Sequence, residues 1–363
     1  MPGASGLNRR DFLKAGLVTG GLAAAAGAAG RGLGVQPPPP DTTPTAHDGH
    51  AGMGAVGEVD PAHNGFDPHE MLQDWDFGRV STLPTGQTLR EFSIYAIDKD
   101  IEVAPGVHFP GWVYNGRVPG PTLRCVEGER VRVTFSNGSS HPHTIHFHGI
   151  HAARMDGVPG VGAGMIPPGG STVYEFDAFP FGCHLYHCHA TPLKRHIHKG
   201  LYGAFIIDPD PERHPDERQA ARARLYGTPE NQQVNEMVMV MNAFDTNFDG
   251  ENEVYAVNSI AFAYMNKPIR IRRDQRQRLY LINVTEFDPI NSIHLHANFF
   301  DYYDHGTSLT PTLHTVDTIL QCQAQRGILE FDFRGFEPGL YMFHAHQSEF
   351  VELGWMGFFE VVE

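Results

Sequence analysis

The chain has 363 residues, 41% of them hydrophobic, with 42 Asp and Glu against 27 Lys and Arg and a formal net charge of -15. That length suits two domains, and the acidic balance argues against nucleic acid or an anionic membrane as partner. Beyond the N-terminal region no apolar run is long enough to span a membrane.

Residues 1–34 have the form of a leader. NRRDFLKAGLVTGGLAAAAGAAG sets Arg9 and Arg10 ahead of a stretch rich in Ala and Gly, as in bacterial twin-arginine export signals. A basic patch before a short buried helix is the competing reading. Export to the periplasm or the extracellular space is the expectation, with cleavage in the Ala-rich tract. Residues 35–68 open with a Pro run and continue as TAHDGHAGMGAVGEVDPAHNG, a composition expected for a disordered, extended linker. His47, His50, Met53 and His63 could bind copper transiently there, but a solvated tail is the simpler reading.

From residue 69 the chain turns to short β-rich runs such as EFSIYAID, ERVRVTFSNGSS, STVYEFDAF and YGAFIIDPD. Evenly spaced short strands without helical periodicity predict a β-sandwich over 69–208. Residues 209–235 are charged and Pro-containing, an interdomain connection with at most one short helix. A second β-rich block fills 236–363. DTNFDGENE from Asp245 resembles a calcium loop, but Ala256 stands at the twelfth position, where a bidentate Glu is needed, so it reads as a polar turn. Asn137-Gly-Ser fits a glycosylation sequon and reads better as a hairpin turn.

The two blocks look like internal copies. PGPTLRCVEGERVRVTFSN leads up to His146 and NKPIRIRRDQRQRLYLINV leads up to His294, with Pro121 and Pro268 preceding them by 25 and 26 residues. Each block carries two His-x-His pairs: His146/His148 and His187/His189, then His294/His296 and His344/His346.

Side chains alternate along an extended strand, so in YHCH the rings of His187 and His189 share one face and Cys188 takes the other. In HPHTIHFHG, His146 and His148 share a face, and His143 falls on the opposite one. One short run can therefore serve two metal sites back to back. A thiolate with imidazoles is the ligand set of a blue copper centre. For Cys188 the imidazoles would be His143 and one from the loop after the strand, His196 or its rival His198. A lone His-x-His pair is more simply a zinc ligand or a core histidine, but one zinc takes about four ligands, and eight paired histidines imply a polynuclear site. In the second copy each mononuclear position has changed: Asn291 stands for His143, Ala345 for Cys188, and Phe350 or a neighbour for the downstream His. Cys125, Cys183 and Cys322 are left over as an odd set, and no disulfide is assigned.

With HxxHxHG, YHCH followed by a His and Gly200-Leu201, and two later HxH pairs in order, residues 70–363 resemble the multicopper oxidases. Within them the likeness is to the two-domain, laccase-like group, relatives of the copper nitrite reductases. The resemblance implies an all-β chain of two cupredoxin-like Greek-key β-sandwich domains with four coppers per functional unit: one type 1, one type 2 and two type 3. Carried over residue by residue, His143, Cys188 and His196 bind the type 1 copper. His196 is preferred because it sets Gly200-Leu201 where the family has its Gly-Leu/Met step, which puts Leu201, unable to coordinate, at the axial position. His146 and His294 bind the type 2 copper, and His148, His187, His189, His296, His344 and His346 hold the type 3 pair. Asp156, in RMDGVPG, matches the family's Asp-Gly step and is the proton-donor candidate, with a turn-forming Asp-Gly as the alternative. Glu349 and Glu352 are weaker candidates.

The activity so implied is four-electron reduction of O2 to water, fed by one-electron oxidation of phenolic, aromatic or metal-ion donors, with Cys188 passing electrons to its flanking histidines. The absence of a Met-rich insert leans towards broad laccase-like donors. The family's assembly is a homotrimer whose cluster lies between the first domain of one subunit and the second of the next, a ring that closes head to tail. Two other functions compete. A copper nitrite reductase-like enzyme would have Asp in place of His146 and no complete second set of pairs. A copper-binding or sequestering protein without turnover has no use for a thiolate between two cluster ligands.

Overall fold

The computed structural model describes residues 58–363. The leader 1–34, the Pro run and His47, His50 and Met53 lie outside the described residues. Among the described residues no helix is long and apolar enough to cross a membrane.

Each half of the chain forms two sheets, and one sheet in each half follows the same plan. In the first half Thr122–Val126 runs parallel to Tyr202–Asp208, which is antiparallel to Gly182–His187, which is antiparallel to His146–Phe147. In the second half Ile269–Arg272, Met356–Val362, Gly339–His344 and Ile290–Leu295 repeat those relations. The register repeats as well, with His146 opposite His187 and His294 opposite His344. The partner sheets are built on Thr88–Ala104 with Arg130–Asn137 and Ser171–Asp177 in one half, and on Val234–Phe244 with Arg276–Asn283 and Arg326–Phe331 in the other. Arg130–Asn137 shows the cause in its burial, inward Val131, Val133 and Phe135 alternating with outward polar residues. These are two cupredoxin-like β-sandwiches, as the all-β expectation had it.

Several strands, Tyr202–Asp208 and Val234–Phe244 among them, are buried on both faces because each serves two cores. Phe205 and Ile207 enter the first sandwich, whereas Tyr202, Ala204 and Ile206 face a seam shared with Val238, Val240 and Ile282 of the other half. Met237, Met239 and Met241 point from the same strand as Val238 into the second core. Such strands read as continuous apolar runs rather than alternating ones. Buried charge crosses the halves too: Arg124 Nη2 is 2.8 Å from Asp208 Oδ1 and its Nη1 2.8 Å from Glu236 Oε2, while Arg278 Nη1 meets Glu236 Oε1 at 2.9 Å.

The seam covers one face of the first half's histidine-bearing sheet. The equivalent face in the second half is left open: Ile290, Leu320 and Leu340, 41%, 57% and 59% exposed, share it with His294 and His344.

Several details differ from the sequence expectation or refine it. Residues up to 68 are not all extended, since Pro61–Asn64 and Pro68–Met71 are short helices. Asp60 and Asp67 cap them, each followed by Pro at the first helical position. The connection holds one short helix, Arg218–Arg224, between 3-10 turns at Pro215–Glu217 and Asn231–Gln233. The Asp245 carboxylate accepts from the backbone N–H groups of Asp249 and Gly250, as a turn requires. Asn137 is buried and donates to the carbonyls of His141 and Ile166. All four cysteines are free.

Candidate metal centre

Cys188 follows directly on Gly182–His187, and its side chain enters the first core beside Tyr186 and Leu201. Its sulfur is 3.3 Å from His196 Nδ1 and 3.9 Å from His143 Nδ1, and the two nitrogens are 3.1 Å apart. A metal about 2.1 Å from three donors in a plane would space them roughly 3.6 Å apart, so the triangle suits a single ion. Ser139 Oγ, 2.8 Å from His143 Nε2, takes up the other ring nitrogen, and Trp112 packs against both rings at centroid distances of 5.2 and 4.9 Å. The backbone N–H of Thr144 donates to the sulfur at 3.3 Å. Burial pushes the Cys188 thiol up and holds His143 down at about 3 and His196 at about 4, so both imidazoles are neutral donors. Leu201 is fully buried, and its carbonyl accepts the Cys188 N–H at 2.9 Å.

His196 lies not in a loop, as the sequence suggested, but on the short helix Leu193–His198, entered at Pro192. His198 turns away from the sulfur. Its Nε2 accepts the Asp245 N–H at 3.0 Å, and its ring meets Phe109 at 5.1 Å.

On the other side of the strand, His146, His148, His187 and His189 form a quartet of rings with centroids 4.9 to 5.8 Å apart. They line a cavity of about 250 Å³ that Val284, Gln323 and Ala324 of the second sandwich help to close. His187 donates from Nδ1 to the Cys188 carbonyl at 2.8 Å, which leaves a lone pair on Nε2. That atom stands 2.8 Å from His148 Nε2, a separation that either a metal ion or the N–H of one neutral imidazole between the two nitrogens satisfies. Burial holds His148 down at about 2 and His187 at about 4, so both rings are neutral and able to offer lone pairs to a metal. His189 Nδ1 is buried without a hydrogen-bond partner. These features fit a metal cluster.

His294, His296, His344 and His346 form a second quartet with the same wiring. His296 Nε2 is 2.9 Å from His344 Nε2. His344 Nδ1 bonds the Ala345 carbonyl, as His187 bonds that of Cys188. His346 N–H donates to Ser292 Oγ and His189 N–H to Thr144 Oγ1, both at 2.8 Å. Each quartet's ring contacts stay within its own half.

Asp156 sits against the first quartet. His146 Nδ1 is 2.8 Å from its carbonyl oxygen and 2.9 Å from its Oδ1, an arrangement that fixes the tautomer with Nε2 free for metal. His294 Nδ1 likewise bonds Asp317 O at 3.0 Å and Thr318 Oγ1 at 2.9 Å. Sequence reasoning missed Asp317, and also His151, whose Nε2 is 3.5 Å from Asp156 Oδ1 and whose ring is 5.2 Å from that of His146. The run HFHGIHAARMDG, a third histidine between the pair and Asp156, was the available signal. Glu349 and Glu352 are exposed on the helix Ser348–Glu352.

The second half has filled its mononuclear position. Asn291 is buried and accepts from Trp355 Nε1 at 3.1 Å. Ala345 N–H donates to Trp355 O, and Trp355 N–H to Phe350 O, as Cys188 donates to Leu201 and Leu201 to His196. Phe350 is thus the counterpart of His196.

Multicopper oxidase family models match residues 97–212 and 227–363. A solved structure of a multicopper oxidase is 54% identical, covers 84% of this chain and 100% of its own, and superposes with a TM-score of 0.76. The blue copper oxidase from Nitrosomonas europaea is 27% identical, covering 75% of this chain and 86% of its own at a TM-score of 0.62. The copper-containing nitrite reductase of Neisseria meningitidis serogroup A is 36% identical over 115 residues, 31% of this chain and 29% of that protein. The matched part spans less than a third of the length of these curated nitrite reductase relatives.

Proposed function

The chain belongs to the multicopper oxidase family, and we propose that it is a laccase-like enzyme coupling one-electron oxidation of phenolic, aromatic or metal-ion donors to four-electron reduction of O2 to water. The observation that carries this is the two-sided placement of His187-Cys188-His189, the sulfur in a three-donor triangle and the flanking rings in a quartet. His143, Cys188 and His196 would hold the type 1 copper, and Leu201, buried in the same core, has no donor atom to offer it. His146 and His294 hold the type 2 copper, and His148, His187, His189, His296, His344 and His346 the type 3 pair. Copper bound there supplies the one-electron storage that lets single-electron donors serve a four-electron acceptor. One peptide unit joins Cys188 to each flanking histidine, so sulfur and quartet share a short covalent path. Asp156 keeps the proton on His146 Nδ1 and offers a carboxylate for proton delivery.

The working assembly is a homotrimer. Four histidines are too few for three coppers, and the second quartet lies on the open face that shows Ile290, Leu320 and Leu340. A head-to-tail ring sets that face against the first half of the next copy and brings eight histidines together, and a cyclic interface of this kind closes. The leader at 1–34 adds export by the twin-arginine route, to the periplasm or beyond.

Copper analysis with oxygen uptake over a donor panel tests the function. Four coppers per chain and one O2 consumed per four donor equivalents are expected. Nitrite-dependent NO formation without oxygen uptake would make the chain a nitrite reductase, and bound copper with neither activity a storage protein.

A further inference from the structure

We propose a separate surface metal site, formed by His63, Glu102 and His108, that takes one divalent transition cation such as Zn(II) or Cu(II). It does not depend on the oxidase reading. The three side chains offer ligand atoms that all lie within 4.8 Å of one another.

Glu102 and His108 stand opposite each other on the hairpin of Thr88–Ala104 and Val107–Tyr114 and so project from one face. His63 arrives from the helix Pro61–Asn64, its ring edge-on to that of His108 at 5.3 Å. That helix is fastened to the hairpin beside the site. The Asn64 side chain accepts the Glu102 N–H at 2.8 Å and donates to the Glu102 carbonyl at 2.9 Å, and the Lys99 ammonium reaches the Asn64 carbonyl.

Each hairpin ligand is also oriented from behind. His108 Nδ1 is 2.7 Å from Asp100 Oδ2, which leaves Nε2 with its lone pair outward. Glu102 Oε1 accepts the Gly106 N–H at 2.7 Å, which leaves the other oxygen free. A histidine backed by a carboxylate is how metal-binding imidazoles are held. Two imidazoles and one carboxylate, completed by water, suit Zn(II), and the general affinity order puts Cu(II) above it. Asp100 and Glu102 together offset the charge of the dication. Exposed acids often cluster without a metal, but here two histidines from different elements meet, one with its second nitrogen already engaged.

The test uses the copper-loaded full chain with Zn(II) alone as probe, measured by equilibrium dialysis and metal analysis. One zinc per chain beyond the copper is expected. His63→Ala and His108→Ala should each weaken zinc binding at least about 10-fold, and Asp100→Asn about 10-fold, with oxygen uptake in the absence of zinc unchanged. Glu102→Gln, which keeps the shape of the side chain, should give the same loss. Zinc retention by the double variant H63A/H108A equal to that of the parent would overturn the site and place binding elsewhere, for instance at His47 and His50. No zinc beyond the copper would overturn it outright.

Discussion

Trp355 stands in the second sandwich where Leu201 stands in the first: each accepts, through its backbone carbonyl, the N–H of the residue between two paired histidines, Ala345 at 3.3 Å and Cys188 at 2.9 Å. Both side chains are buried. One position thus sits beside a three-donor triangle in one half, and in the other fills the same space with an indole bonded to Asn291.

Leu201→Met puts a thioether where the axial position is proposed. An added axial ligand favours the oxidised ion, so the potential of the blue centre should fall. A redox titration of the blue absorption measures it, and an unchanged potential would remove Leu201 from the axial role.

Asp156→Asn keeps the carbonyl bond to His146 and removes the carboxylate 2.9 Å from Nδ1. Loss of such a partner costs about 10- to 100-fold in metal affinity or activity. Turnover should drop by that order, and its pH dependence should change even in preparations with full copper. Full turnover with an unaltered pH profile would leave Asp156 as a turn residue.

Leu340→Asp places a charge on the open sheet face that carries His344, where the leucine is largely exposed and its loss leaves the core intact. The proposed trimer should dissociate and oxygen uptake fall with it, read by light scattering and an oxygen electrode on the same sample. A fully active monomer would contradict assembly through this face.

Acid should destabilise the metal-free chain. Burial holds His143 at about 3 and His184 at about 4, below the ordinary 6.5. The folded protein therefore favours neutral rings. Stability is whole above about pH 6.5 and is lost as the pH falls towards 4, because the unfolded chain takes up protons that the fold refuses. His184 alone accounts for about 3 kcal/mol over that window. Urea midpoints should fall between pH 7 and pH 4.5, and equal midpoints would show that these rings are charged in the fold.

The sequence by itself determined whatever follows from alternation and repetition. Parity within His187-Cys188-His189 separated sulfur from rings, because a strand's period is two and needs no partner to be known. Aligning the two copies located Asn291 and Ala345 as altered positions and left Phe350 open, which the hydrogen bond from Trp355 N–H to Phe350 O decided. The Gly200-Leu201 step favoured His196 over His198 only by resemblance, and the tertiary structure supplied the physical reason: two histidines a short step apart on one helical turn point in different directions, and packing brings His196 to the sulfur. The tertiary structure also supplied Asp317 and His151, whose contacts with the quartets depend on how loops fold back. Above all it showed that one histidine-bearing sheet is covered by its own chain and the other lies open. No local pattern encodes that difference, because it is set by which faces of four distant sheets come to lie against each other.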